Sequence, residues 1–277
     1  MKRGKQIQRL GLHLALLTGV FFSCIPLFWL IRSSLMTLPE LYIYPPLLWP
    51  LVNRWQNYLD AMTVVNFPLF IQNTITVLIP VMFGTLITSS LAAYGFARIR
   101  FPYKNIFFGL VISSLLLPYA VTMLPTFMVW AKLGMINTYY PLWVPAWFGG
   151  GAFNIFLLRQ FFLSIPNEIE DAAVLDGAGH FTIFWRIMLP LIRPGLIVVG
   201  IFTFLNVWND FLNPLLYLND EKRFTVALGL MTFKGTYSTD WHLLMAGSAI
   251  VVLPPIVVFF IGQRYFLESA TLSGMKL

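Results

Sequence analysis

Two groups of residues in this chain are of types that could do chemistry. The first is acidic: of eleven carboxylates in 277 residues, Glu168, Glu170, Asp171 and Asp176 lie within one short stretch of a chain that is 58% hydrophobic. Clustered acids could bind a metal, act as an acid–base pair or dock a cationic surface. Nothing supports the first two uses. His13, His180 and His242 lie far apart, and Cys24 is the single cysteine, so no zinc site and no internal disulfide are readable. The acidic stretch also has no nucleophile with a matched base, which leaves docking. The second group is Asn206, Asn209, Asp210, Asn213 and Tyr217. Intervals of three and four place all five within about 100° of arc on one helix. A polar stripe of that kind inside a membrane faces protein or water, and its one acid is costly there unless hydrated or partnered. It reads as a solute pathway, with a hydrogen-bonded contact to another transmembrane subunit as the alternative. Trp208 points about 200° from Asn206 on the same helix, toward lipid or a neighbouring subunit.

The elements that position these groups follow from composition. Only 10% of the residues are charged and the mean hydropathy is +0.76, whereas soluble domains carry about 25% charge. The expectation is an all-α membrane protein with a single transmembrane domain over 1–277. A span needs about 20 apolar residues, and six stretches qualify: 10–32, 70–97, 106–130, 139–163, 188–217 and 243–266. The basic residues are scattered between apolar runs, which argues against nucleic acid as a partner despite a net charge of +7. They fit a topology signal better. Twelve Lys and Arg, among them Lys2, Arg3, Lys5, Arg9, Arg98, Arg100, Lys104, Arg159, Arg186 and Arg193, fall on one side, against six on the other. The richer side is cytoplasmic, which places both termini and the acidic stretch there. Pro118 and Pro125 in the third span, and Pro254 and Pro255 in the sixth, are expected to bend their helices. Gly149, Gly150 and Gly151 lack a following Lys-Ser/Thr, so they form a bend or a packing site and not a phosphate loop.

Within 166–187, a cytoplasmic loop, the spacing predicts a helix of about ten residues. Asn167 is placed to cap it, with the Glu170 carboxylate reaching back, and Gly177 to end it in the left-handed conformation. Ile169, Ala172 and Ala173 share one face. These small side chains would let another protein approach closely, with Glu170 and Asp171 at the rim.

The run Asp171-Ala172-Ala173-Val174-Leu175-Asp176-Gly177-Ala178, followed by Leu189-Pro190-Leu191 and Pro194, resembles the EAA loop of ABC importer permeases, with Asp171 in place of Glu. Other runs resemble the carbohydrate branch, specifically the second, maltose-type (MalG-like) permease of each pair. They are Asn73-Thr74, Ala92-Ala93-Tyr94-Gly95-Phe96-Ala97-Arg98, Leu157-Leu158-Arg159-Gln160-Phe161-Phe162 and Trp208-Asn209-Asp210-Phe211. The likeness covers nearly the whole chain and fades over 271–277. It implies the six-helix type I permease fold in a bacterial or archaeal cytoplasmic membrane. It further implies a homologous second permease, two cytoplasmic ATPase subunits holding ATP and Mg2+, and an extracytoplasmic solute-binding protein. This chain would hold no cofactor and perform no catalysis. Glu170, Asp171, Ala172, Ala173, Asp176 and Gly177 would be its ATPase-coupling residues. A self-sufficient six-span channel leaves the acidic helix unexplained, and an intramembrane enzyme lacks a catalytic constellation.

Overall fold

A computed structural model describes residues 2–235 and 239–274, with side chains described over 10–235 and 239–265. The fold is helical, and among the described residues the extended pairing is an isolated bridge between Lys234 and Thr239. Composition explains this. In lipid each backbone N–H and C=O must find a partner within its own segment, and a helix supplies one.

Four helical stretches are long and apolar enough to cross a membrane: Leu10–Ser34, Phe67–Arg98, Tyr140–Ser164 and Trp241–Tyr265. Two bent pairs bring the number to six, Lys104–Leu116 with Tyr119–Lys132 at 99° and His180–Leu191 with Arg193–Trp208 at 77°. We label the main helices α1 (Lys2–Ser34), α2 (Phe67–Arg98), α3 (Lys104–Ser113), α4 (Tyr119–Lys132), α5 (Ala152–Ser164), α6 (Asn167–Leu175), α7 (His180–Leu191), α8 (Arg193–Trp208), α9 (Leu212–Tyr217) and α10 (Trp241–Gly274). The prolines act unevenly. Pro118 marks the break between α3 and α4, whereas Pro125 lies within α4, and α10 runs on through Pro254 and Pro255. The glycine run is a bend: Gly149, Gly150 and Gly151 all have positive φ (95°, 65°, 95°). A Cβ on Gly150 would come within 2.7 Å of the Thr85 carbonyl oxygen, so only glycine allows this approach to α2.

The contacts divide the chain into two compact units, Met1–Phe67 with Leu230–Leu253, and Pro68–Gly229 with Pro254–Leu277. In the first, the apolar side chains of α1 from Leu10 to Phe22 remain exposed, as a lipid-facing or subunit-facing helix requires. The segment after α1 is ordered by buried polar groups. Asn57, fully buried, donates to the carbonyls of Ser34 (2.8 Å) and Met36 (2.7 Å). The Glu40 carboxylate accepts from the Thr37 backbone N–H (2.7 Å), the Thr37 hydroxyl (2.9 Å) and the Leu51 N–H (3.1 Å). The Thr37 backbone bond, the largest influence, holds the Glu40 carboxyl below the usual carboxylate range against the opposing effect of burial. The Pro- and aromatic-rich stretch is therefore a built cap, with Trp55 stacked on Tyr58 at 6.1 Å.

In the second unit the buried core comprises Ala93, Tyr94, Ile155, Leu158, Phe162, Ala173, Ile183, Phe184, Met188, Ile192 and Val199. It gathers side chains from α2, α5, α6, α7 and α8, directly behind the acidic stretch. The small polar residues of α2 mostly bond back along their own helix: Thr74 to Phe70 O (2.9 Å), Thr76 to Gln72 O (2.9 Å) and Ser89 to Thr85 O (2.5 Å). Thr88 also reaches across to Ala146 O at 3.0 Å, the interhelical packing bond expected of this span. Residues Lys2, Arg3, Lys5, Arg9 and Lys276, on which the placement of the termini partly rests, and the divergent stretch 271–277 have side chains outside the described residues.

Candidate functional site

α6 carries the acidic stretch on nine residues. Its C-terminus follows the sequence reading. Gly177 has φ +80°, Ala178 N–H donates to Ala173 O (2.9 Å), and Gly177 N–H donates to Val174 O (3.0 Å). This pair of bonds is a Schellman motif, which satisfies carbonyls that a helix end would otherwise leave open. The N-terminus differs from the reading. The cap position is Pro166, with Asn167 already helical, and no side-chain cap forms. Both residues of the expected capping box are engaged elsewhere.

They are engaged by Arg98, the last residue of α2. Its Nη1 donates to Asn167 Oδ1 and lies 3.7 Å from Glu170 Oε2, while Nη2 donates to the carbonyls of Phe162 and Ile165. The Arg98 side chain is 4% exposed and that of Glu170 is 14% exposed. The Tyr94 hydroxyl, one turn back on α2, donates to Glu170 Oε1 at 3.3 Å. The physical sense is clear. A planar guanidinium presents a fixed fork of donors, and here it meets the open carbonyls at the end of α5 and the acid in the first turn of α6, the two charges that helix termini favour. Sequence reading counted Arg98 as a topology charge. The contacts that give it this position span 64 to 72 residues of chain, which no local pattern reveals. Lys104 and Arg159 behave alike: Lys104 Nζ donates to the carbonyls of Ala97 (3.2 Å) and Ile99 (3.0 Å), and Arg159 Nε to that of Phe96 (3.2 Å), closing the end of α2.

The expected docking face of α6 is corrected by burial. Ala173 is 6% exposed and belongs to the core with Tyr94, Phe162 and Phe184. Glu170 also turns inward. The outward face is Glu168, Asp171, Ala172 and Leu175, spaced at about one turn, with Asp176 and Gly177 exposed at the end. Leu175 is 88% exposed, an apolar tip on a helix otherwise ringed by acids. Periodicity gave the ridge but not which side of it the chain itself would cover.

The polar stripe is also rearranged. The fifth span was expected to run unbroken over 188–217, but α8 ends at Trp208 and α9 begins at Leu212. Asp210 stands at the break. Its Oδ1 accepts from Asn213 N–H (3.1 Å) and its Oδ2 from Asn213 Nδ2 (2.9 Å), so the acid helps restart the helix. Asn213 Oδ1 then accepts from the Tyr119 hydroxyl at 2.6 Å. Tyr119 begins α4 at the break of the third span, so three polar side chains tie two discontinuities together. Asn206 and Asn209 are exposed and Asn209 Nδ2 returns to Leu205 O (2.8 Å), whereas Tyr217 is buried and stacked on Phe127 at 6.1 Å. The five residues therefore do not form one continuous stripe. Trp208, expected to face lipid or a neighbour, is buried at 6% exposure against Phe204 (5.5 Å).

At the other end of α2, Asn73 Nδ2 donates to the carbonyls of Lys222 and Phe224 (2.9 Å each), and Thr74 Oγ1 accepts from Val226 N–H (2.8 Å). Asn137, left-handed at φ +58°, holds the neighbouring stretch by accepting from the N–H groups of Asn219 and Asp220 (3.1 Å each). Among the described residues no group of three or more His, Cys, Asp or Glu is arranged to hold a metal.

Residues 84–270 match the family model described as "Binding-protein-dependent transport system inner membrane component". The chain is 33% identical over 278 residues to the sn-glycerol-3-phosphate transport system permease protein UgpE of Agrobacterium fabrum, covering 97% of this chain and 98% of the relative. It is 37% identical over 204 residues to the arabinooligosaccharides transport system permease protein AraQ of Halalkalibacterium halodurans, covering 74% and 72%. Its fold is that of a chain in a bacterial ABC transporter involved in the import of the acidic polysaccharide alginate, with a TM-score of 0.81 at 21% identity over 94% of this chain and 97% of that one.

Proposed function

This chain belongs to the family of binding-protein-dependent transport system inner membrane components, and we propose that within it the chain is one of two permease subunits of an ATP-driven importer for a sugar or related polyhydroxylated solute. The relatives' names speak of an oligosaccharide and of a phosphorylated glycerol, and both are polyols, which the amide and aromatic groups at the α8–α9 break suit. The partners are a homologous second permease, two cytoplasmic ATPase subunits that bind ATP and Mg2+, and an extracytoplasmic solute-binding protein. This chain itself is non-catalytic. Both termini and α6 lie in the cytoplasm, following the excess of Lys and Arg on that side.

The observation that carries the reading is α6, a helix fixed at both ends that presents Glu168, Asp171, Ala172 and the 88% exposed Leu175 outward. An apolar tip with acids around it fits a cleft with a cationic rim on an ATPase. ATP-driven closure of the two ATPases would carry α6 with it and move the broken spans between inward-open and outward-open states. Purification of the tagged chain from its native membrane under mild detergent tests this: an ATPase and a second permease are expected to accompany it. A chain that comes down with neither, yet passes solute in liposomes, is a channel, and the reading fails.

A further inference from the structure

The second unit holds one helix that is clasped at both ends by side chains reaching other segments. At the α6 end of α2, Arg98 gathers Phe162 O, Ile165 O, Asn167 Oδ1 and the Glu170 carboxylate, with Tyr94 on the same acid. At the other, Asn73 holds Lys222 O and Phe224 O, and Thr74 holds Val226 N–H. Asn73 is 7% exposed and Thr74 fully buried. Twenty-five residues separate Asn73 from Arg98, roughly 37 Å at about 1.5 Å per residue. The helix between them is continuous through Pro80, and Lys104 and Arg159 close the open carbonyls at its end.

We propose that α2 is the strut that carries displacement between α6 and the segment 222–229 on the opposite membrane face, with Arg98 and Asn73 as its two positioning residues. The bonding supports transmission in preference to simple anchoring. Arg98 touches both sides of the α5–α6 junction, so α6 cannot shift without either moving α2 or breaking several charge-assisted bonds at once, in a site with almost no water to replace them. Asn73 and Thr74 make the same demand of 222–226 through three backbone groups. The helix between has an uninterrupted hydrogen-bond ladder, and a stiff element with firm contacts at each end transmits position as a unit. Neither positioning residue lies on the outward face of α6. The functional meaning of this strut rests on the importer reading above, but its mechanics do not.

The test is amide hydrogen exchange, read by mass spectrometry, on the full chain in lipid nanodiscs with the subunits that accompany it. Arg98→Ala is expected to speed exchange of the 222–229 amides about threefold, and Asn73→Ala that of the 167–178 amides by a similar factor, these being the ends remote from each substitution. Arg98→Lys keeps the charge without the fork and gives a smaller change of the same kind; it serves if Arg98→Ala fails to reach the membrane. Acceleration confined to the substituted end overturns the strut. In preparations with an ATPase, Asn73→Ala is further expected to leave basal ATP hydrolysis near wild type while lowering its stimulation by loaded binding protein about tenfold. Unchanged stimulation overturns the strut. Wild-type preparations with no ATPase would instead defeat the importer reading, and the exchange result would still decide the mechanics.

Discussion

Ala172 and Ala173 are identical in chemistry and adjacent in the chain, yet one stands in solvent and the other is sealed beneath Tyr94, Phe162 and Phe184. That difference separates docking from folding experimentally. Ala173→Leu adds methylenes to a filled site and is expected to destabilise the chain by about 1–3 kcal/mol, with less protein recovered from the membrane. Ala172→Trp meets only solvent in the isolated chain and should change stability by no more than about 0.5 kcal/mol, while abolishing solute uptake because the bulk blocks a partner's approach. Uptake and membrane abundance measured side by side for both variants decide it. Wild-type uptake in Ala172→Trp would remove the docking role from this face. The alanine pair also shows where the sequence stops being legible. Gly177 could be read in advance because its left-handed turn is a local requirement, satisfied within a few residues. The inward turn of Ala173 is set by α2 and α5, far away in sequence, and the role of Arg98 is hidden for the same reason.

Among the elements, the six spans were readable because the need for about 20 apolar residues is written into composition. The breaks were readable only in part. Pro118 announces the first, since proline cannot donate and disfavours a helical residue before it. The break after Trp208 carries no such mark: asparagine, aspartate and phenylalanine all occur in helices, and spacing at three and four argued for continuity. What ends α8 is visible only in the bonds, where Asp210 accepts from Asn213 and so caps a new helix. The Tyr119–Asn213–Asp210 chain then links the breaks of two spans, the places where a bent helix can change shape with least loss of bonding. Its members are not equal. Tyr119→Phe removes one neutral hydrogen bond, worth about 0.5–1.5 kcal/mol, whereas Asn213→Leu strips the carboxylate of its side-chain partner and leaves Tyr119 without its acceptor, at about 1–3 kcal/mol. Transport measured in proteoliposomes is therefore expected to fall further in Asn213→Leu than in Tyr119→Phe. Wild-type rates in both would make the network incidental to movement of solute.

For the molecule as a whole, orientation in the membrane underlies every functional statement, and it comes from charge. Twelve basic residues on one side against six on the other make α6 cytoplasmic and the segment after α1 external. The structure gives those cations a second use, since Arg98, Lys104 and Arg159 close the ends of α5 and α2. One labelling experiment addresses both side and docking. Cys24 is the single native cysteine, so a Cys24→Ala background can carry one reporter at a time, and the two positions to choose are Tyr44, 92% exposed, and Leu175, 88% exposed. A membrane-impermeant maleimide is expected to modify Tyr44→Cys from outside intact cells and to leave Leu175→Cys untouched there. In inside-out vesicles Leu175→Cys should still react slowly, because a bound ATPase covers it, and should become fully reactive once peripheral proteins are stripped with urea. Labelling of Leu175→Cys from outside intact cells would invert the topology. Full reactivity in unstripped vesicles would mean that α6 has no partner on that face.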